Sequence, residues 1–277
     1  MSMTTSPPTS SITDTDILNF ALNLEYLEAE FFLRASTGSG LSAADAGTGA
    51  GAVTGGTQIS GLTAAQSAYL NEIAQTEMTH VRFLRQQLGS AAVARPAIDF
   101  TAGFNGAASA AGLGSSYNPF ANGFNGWLIG AFTFEDVGVS AYTGAAPLIS
   151  SATILNAAAS IQAVEAYHAG AVRTNIVALA APAGADQTTL NTANAISKVR
   201  ATLGGGMETT LVTGLTAAGV VSGTSGSTIV AASTSSSIGF ARTPSQVLHI
   251  VYETASAGVS QGGFFPSGLN GTIKTTA

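Results

Sequence analysis

Apolar residues recur at three- and four-residue steps in four long stretches of this chain, and the periodicity vanishes between them. The first stretch opens at Thr13, with Asp16 three residues on as an acidic capping partner, and is predicted to be helical over 13–36. Leu18, Ala21, Glu25, Glu28 and Phe32 share one face of it, so two carboxylates point inward among apolar neighbours. Thr63 and Gln66 form a capping box for a second helix over 63–88, stopped by Gly89, with an inward stripe of Leu70, Ile73, Glu77, His80 and Leu84. A third helix is predicted over 122–145 and carries Glu135 after Trp127, Leu128, Ala131 and Phe132. Pro147 separates it from a fourth, over 150–180, in which Ile154, Ala158, Ile161, Glu165, His168 and Val172 fall on one side.

The intervening segments lack that order. Residues 37–61 and 90–121 are rich in Gly, Ala, Ser and Thr and read as long loops. A shorter helix is predicted over 186–202, and a Gly/Ser/Thr/Val tract over 204–237 reads as extended or irregular. A last short helix starts at the Thr243-Pro244-Ser245-Gln246 cap and runs towards Ala255. This gives an all-α chain: a flexible arm over 1–12, a four-helix bundle over 13–182, and an extension over 183–277 packed on the bundle.

Two Glu-x-x-His quartets, Glu77 to His80 and Glu165 to His168, lie on the second and fourth helices of a chain with only nine glutamates and three histidines. At i and i+3 the carboxylate and imidazole project from one helix face, so each quartet can offer two ligands to one metal position. Adding one glutamate from each of the other two helices gives four carboxylates and two neutral imidazoles, whose charge balances two divalent cations. Oxygen and nitrogen donors suit iron or manganese, with zinc as a substitute. The candidate ligands are Glu25, Glu28, Glu77, His80, Glu135, Glu165 and His168. Glu25 is preferred on the first helix, and Glu28, one turn on, is a second or alternative ligand.

Composition narrows the function classes. Only 9% of residues are charged and the net charge is −6, so no basic surface exists to neutralise nucleic-acid phosphates. The low charge is predicted to favour contacts between copies of the chain, as a homo-oligomer or larger assembly. The absence of cysteine excludes disulfides, thiolate zinc sites and iron–sulfur centres. No apolar run is long enough to span a membrane, and residues 1–11 lack the charged start and apolar core of a signal peptide.

One Glu from each of two helices and one Glu-x-x-His from each of the others is the ligand pattern of ferritin-like dimetal proteins, and the chain resembles that superfamily. Within it, Asn23-Leu24-Glu25-Tyr26-Leu27-Glu28-Ala29-Glu30-Phe31-Phe32 and the tail from Arg242-Thr243-Pro244 to Gly262-Gly263-Phe264-Phe265-Pro266 resemble the family of exported bacterial ferritin-like and plant desiccation-related proteins. The resemblance implies a dinuclear iron or manganese centre acting on O2 or hydrogen peroxide, ferroxidase-like or catalase-like, and a periplasmic or extracellular location. It leaves a second reading, a self-assembling, stress- or desiccation-protective protein whose metal site is mainly structural. A rubrerythrin-like peroxidase is excluded for want of the cysteines that its iron module needs.

Other polar and aromatic residues have plainer readings. His249 is read as structural, with Glu253 four residues on as a pairing partner. Glu30 is read as solvated or salt-bridged, and Asp136 as supporting or structural. Tyr26, Tyr142, Tyr167 and Trp127 are read as packing aromatics, with the tyrosine hydroxyls at buried rims. Gly204-Gly205-Gly206 lacks the following Lys of a phosphate loop.

Overall fold

The computed structural model describes residues 12–213, 226–227, 229–233 and 235–277. The arm over 1–11 and the centre of the 204–237 tract lie outside the described residues. Eight α-helices are present among those described: α1 (Asp14–Thr37), α2 (Ala43–Ala46), α3 (Ala64–Leu88), α4 (Phe100–Ala110), α5 (Gly123–Ala145), α6 (Ala152–Ala180), α7 (Thr188–Leu203) and α8 (Pro244–Val251). The fold is an all-α, ferritin-like bundle. Among the described residues, strand is confined to two-residue parallel pairings, Val53–Thr54 with Ile98–Asp99 and Thr210–Leu211 with Gly226–Ser227. Among the described residues, no helix is long and apolar enough to cross a membrane.

The bundle consists of α1, α3, α5 and α6. α1 packs along α3 and α5 along α6, and contact of α1 with α5 joins the two pairs. Local signals set their ends. Thr13 and Thr63 each accept a hydrogen bond from the backbone N–H three residues on, and the side chains of Asp16 and Gln66 in turn accept one from the cap residue's backbone N–H. Gly38 ends α1 in the left-handed conformation at φ 81°, where its N–H donates to the Arg34 carbonyl.

The predicted loop over 90–121 contains a helix, α4, and this corrects the expectation. Asp99 caps it by accepting from the Ala102 N–H at 2.8 Å. Its glycines and small residues carry weak helix propensity, and tertiary packing overrides that weakness. A Cβ on Gly103 would come within 2.3 Å of the Phe264 ring, so the missing side chain seats that ring against α4. Phe264 also packs edge-on to Phe104 and Phe134, with centroids 5.1 and 5.0 Å away. The last helix, by contrast, stops at Val251 rather than near Ala255, and Glu253 beyond it takes a positive φ of 56°.

Three arginines, Arg173, Arg200 and Arg242, are almost wholly buried. Arg173 and Arg200 both pair with Asp136 of α5, at 2.8 and 2.9 Å, and Arg200 and Arg242 both pair with Glu208, at 2.8 and 2.7 Å. Removing one partner from such a network leaves a buried charge uncompensated, so it locks α7 and the segment before α8 onto the bundle. Asp136 thus has the structural role expected of it. Glu30 is fully buried and paired with Arg34 at 2.8 Å and with Arg95, so it is salt-bridged and not solvated. Tyr167 is 78% exposed, which contradicts its reading as a packing residue.

Candidate metal centre

Six of the seven residues read as ligands meet at the middle of the bundle. Glu25 comes from α1, Glu77 and His80 from α3, Glu135 from α5, and Glu165 and His168 from α6, and all six are buried. Their donor atoms form two sets, each with all its atoms within 4.8 Å of one another: Glu25, Glu77, His80 and Glu165, and Glu77, Glu135, Glu165 and His168. Glu77 and Glu165 belong to both. The i, i+3 spacing produces this sharing, because each quartet places its imidazole in one set and its carboxylate between the two. Glu28 belongs to neither set. It is buried beside Glu165 and borders the cluster instead.

Most of these donor atoms face one another without a hydrogen bond; the exception is His80 Nδ1, which shares one with Glu25 Oε2 at 3.2 Å. His168 Nδ1 lies 2.8 Å from Glu77 Oε1 and 3.6 Å from Glu135 Oε2, yet both oxygens of Glu77, Glu135 and Glu165 and the Nδ1 of His168 are buried without a hydrogen bond of acceptable geometry. His80 Nδ1 sits 3.2 Å from Glu25 Oε2, 3.4 Å from Glu77 Oε2 and 3.3 Å from Glu165 Oε1. Buried carboxylates orphaned in this way are strongly disfavoured unless cations complete them. Four carboxylates with two imidazoles are also the donor chemistry of hard or borderline divalent ions. The residues therefore fit a metal site.

Without cations, protons take their place. Burial raises the carboxyls of Glu25 and Glu135 to about 7, against the pull of the nearby imidazoles. Burial and neighbouring carboxylates push Glu28 and Glu165 well above the usual range. Burial opposes ionisation of Glu77 too, but the close approach and charge of both imidazoles overcome it and hold this carboxyl at about 2. Burial disfavours the charged imidazoles, yet the surrounding glutamates prevail and raise His80, and raise His168 to about 11.

Two further contacts aim the donors. The buried Tyr142 hydroxyl donates to Glu25 Oε1 at 2.5 Å, so this tyrosine orients a candidate ligand as well as packing. Thr76 Oγ1 and His168 Nε2 share a hydrogen bond of 2.9 Å, which leaves Nδ1 as the nitrogen facing the cluster. Thr76 was not foreseen; its only sequence signal is its position immediately before Glu77. Gly138 was also missed. A Cβ there would lie 2.5 Å from Glu165 Oε2 and 3.0 Å from Glu28 Oε1, so only glycine leaves room for those carboxylates. Trp127 is core, as read. Tyr26 is buried and donates to the Val93 carbonyl at 3.0 Å. His249 shares a hydrogen bond with the Thr254 carbonyl, 2.8 Å from its Nδ1, and so has a structural setting.

A four-helix bundle whose interior gathers two overlapping Glu/His donor sets defines the class of ferritin-like metal-carboxylate proteins. The ferritin-like domain family model matches residues 13–178, and the chain belongs to that family. It is 27% identical over 271 residues to the ferritin-like catalase Nec2 of Nesocodon mauritianus, covering 94% of this chain and 84% of the relative. It is 30% identical over 158 residues to the desiccation-related protein PCC13-62 of Craterostigma plantagineum, covering 55% of this chain and 50% of that relative.

Proposed function

We propose that the chain holds two metal ions in its bundle and disproportionates hydrogen peroxide to water and O2. The observation that carries this reading is the pair of donor sets sharing Glu77 and Glu165, an arrangement that would hold two neighbouring cations as dinuclear sites do. Such a metal pair supplies two-electron redox chemistry, enough to reduce one peroxide molecule and oxidise the next. The reaction balances as two molecules of hydrogen peroxide giving two of water and one of O2. The relative that matches nearly the whole chain is a ferritin-like catalase, which favours peroxide over Fe(II) as substrate.

The chain's own residues hold and insulate this chemistry. Glu77 and Glu165 would be shared by the two ions, Glu25 with His80 and Glu135 with His168 would complete the hold on each, and Tyr142 and Thr76 fix a donor in each set. Leu24, Leu27 and Val137 keep the Glu28 side of the cluster apolar and limit water there. Manganese- and iron-reconstituted protein should be compared for oxygen evolution from peroxide at an oxygen electrode, with Glu165→Gln as control. Rapid Fe(II) oxidation without oxygen evolution would replace the catalase reading with a ferroxidase one.

The similarity to a desiccation-related protein supports a second reading, in which bound metal chiefly clamps the bundle and the chain protects against drying. A metal-replete protein inert to both peroxide and Fe(II) would favour it.

A further inference from the structure

Two cavities meet end to end on the Glu28 side of the cluster. The inner one, of about 20 Å³, is lined by Leu24, Leu27, Glu28, Val137, Gly138 and Val251, and has room for roughly one water-sized molecule. The outer one is a groove of about 580 Å³ between α4 and α7, with Gly106, Ala110, Lys198, Leu203 and Glu253 along it. Thr133, Ile250 and Phe264 line both, so these three side chains form the partition between them.

Each end of this arrangement has a distinct character. At the inner end the cavity is lined by Glu28 and Gly138, and the bare Cα of Gly138 packs directly against Glu165, a carboxylate common to both donor sets. At the outer end Glu253 presents a buried Oε1 without a hydrogen-bond partner among the described residues, on a backbone held at positive φ. The partition is firm, because Phe264 is wedged on Gly103 and between the rings of Phe104 and Phe134. Ile250 and Phe264 both lie beyond residues 13–178, the part matched by the family model.

We propose that groove and cavity are two segments of one access route to the donor cluster, and that Phe264 sets the largest oxidant that passes. This rests on the cluster holding metal, as in the proposed function. A groove of this size admits organic hydroperoxides, whereas the inner cavity admits only molecules of about the size of hydrogen peroxide or O2. The extension thus supplies a size filter for a centre that the bundle alone builds.

Krypton-pressurised crystals of the metal-free protein test the path without any turnover. Krypton is expected in the inner cavity and against Phe264. Stopped-flow azide binding to iron-reconstituted, air-oxidised protein tests passage. Phe264→Leu, milder than truncation to alanine, should raise the azide on-rate, and Thr133→Leu, which plugs the junction, should lower it, each by about tenfold. On- and off-rates should move by the same factor and leave the equilibrium affinity unchanged, because a barrier on a path acts equally in both directions. Krypton found only beside His80 and His168, or unchanged on-rates in both variants, would overturn the route. A protein inert to peroxide would instead overturn the proposed catalase activity and leave the krypton result standing.

Discussion

A buried carboxylate oxygen without a hydrogen-bond donor needs a cation nearby, and Glu77 and Glu165 each have two such oxygens. Because both residues enter both donor sets, Glu165→Gln is expected to abolish binding of both metals. Glu135→Gln should abolish binding of one. Metal content per chain after reconstitution and desalting distinguishes these outcomes; loss of a single ion in Glu165→Gln would mean that the carboxylate does not bridge. Tyr142→Phe removes the 2.5 Å hydrogen bond to Glu25 and should weaken metal binding about 10–100-fold, the usual effect of losing a contact that orients a ligand. Competition with a chromophoric chelator measures it. At this scale the clustering of these donors was legible in advance, because i, i+3 spacing is a local property and Glu77, His80, Glu165 and His168 display it. The choice between Glu25 and Glu28 was not. Both lie on the inward face of α1, and only the positions of α3 and α6 bring Glu25 into a donor set while Glu28 stops against Glu165.

Helices that carry their own caps and apolar stripes could be read from the chain, and α4 shows where such reading fails. Thr13 with Asp16 and Thr63 with Gln66 mark the starts of α1 and α3 by local chemistry. The segment Phe-Thr-Ala-Gly-Phe-Asn-Gly-Ala-Ala-Ser-Ala of α4 offers only a weak pattern, and its helix depends on a ring that comes from 161 residues later in the chain, Phe264 upon Gly103. That dependence makes a prediction opposite in sign to helix propensity. Gly103→Ala would gain up to about 1 kcal/mol in an exposed helix, yet here its Cβ would meet Phe264 at 2.3 Å. Overpacking of this kind destabilises by about 1–3 kcal/mol. Urea denaturation should therefore show a lowered midpoint for Gly103→Ala. A raised midpoint would mean that the ring can move aside, and the partition described above with it.

Across the whole molecule, the cluster couples metal binding to the pH dependence of stability, and the two states should respond in opposite directions. In the metal-free protein Glu25 and Glu135 titrate at about 7, against 4.5 when free. Between those values the folded state holds more protons than the unfolded one, so stability falls as pH rises. The raised carboxyls of Glu28 and Glu165 extend that fall upward. His80 and His168 act in the same sense: their contribution is complete below 6.5 and is lost as pH climbs towards their raised folded values, about 11 for His168. Glu77 alone opposes, since its depressed carboxyl contributes above 4.5 and fails only as pH drops towards about 2. Cations invert this balance, because imidazoles and carboxylates must surrender their protons to bind them, and affinity rises with pH. Glu253, held up to about 8 by burial, lies away from the donor sets and contributes equally to both states, so it cancels in the comparison. Calorimetry from pH 5 to pH 8 should then show the Tm of chelator-treated protein falling while that of metal-loaded protein does not, with the gap widening steadily. Parallel curves would mean that these glutamates and histidines keep their protons in the presence of metal, and that the ions bind elsewhere.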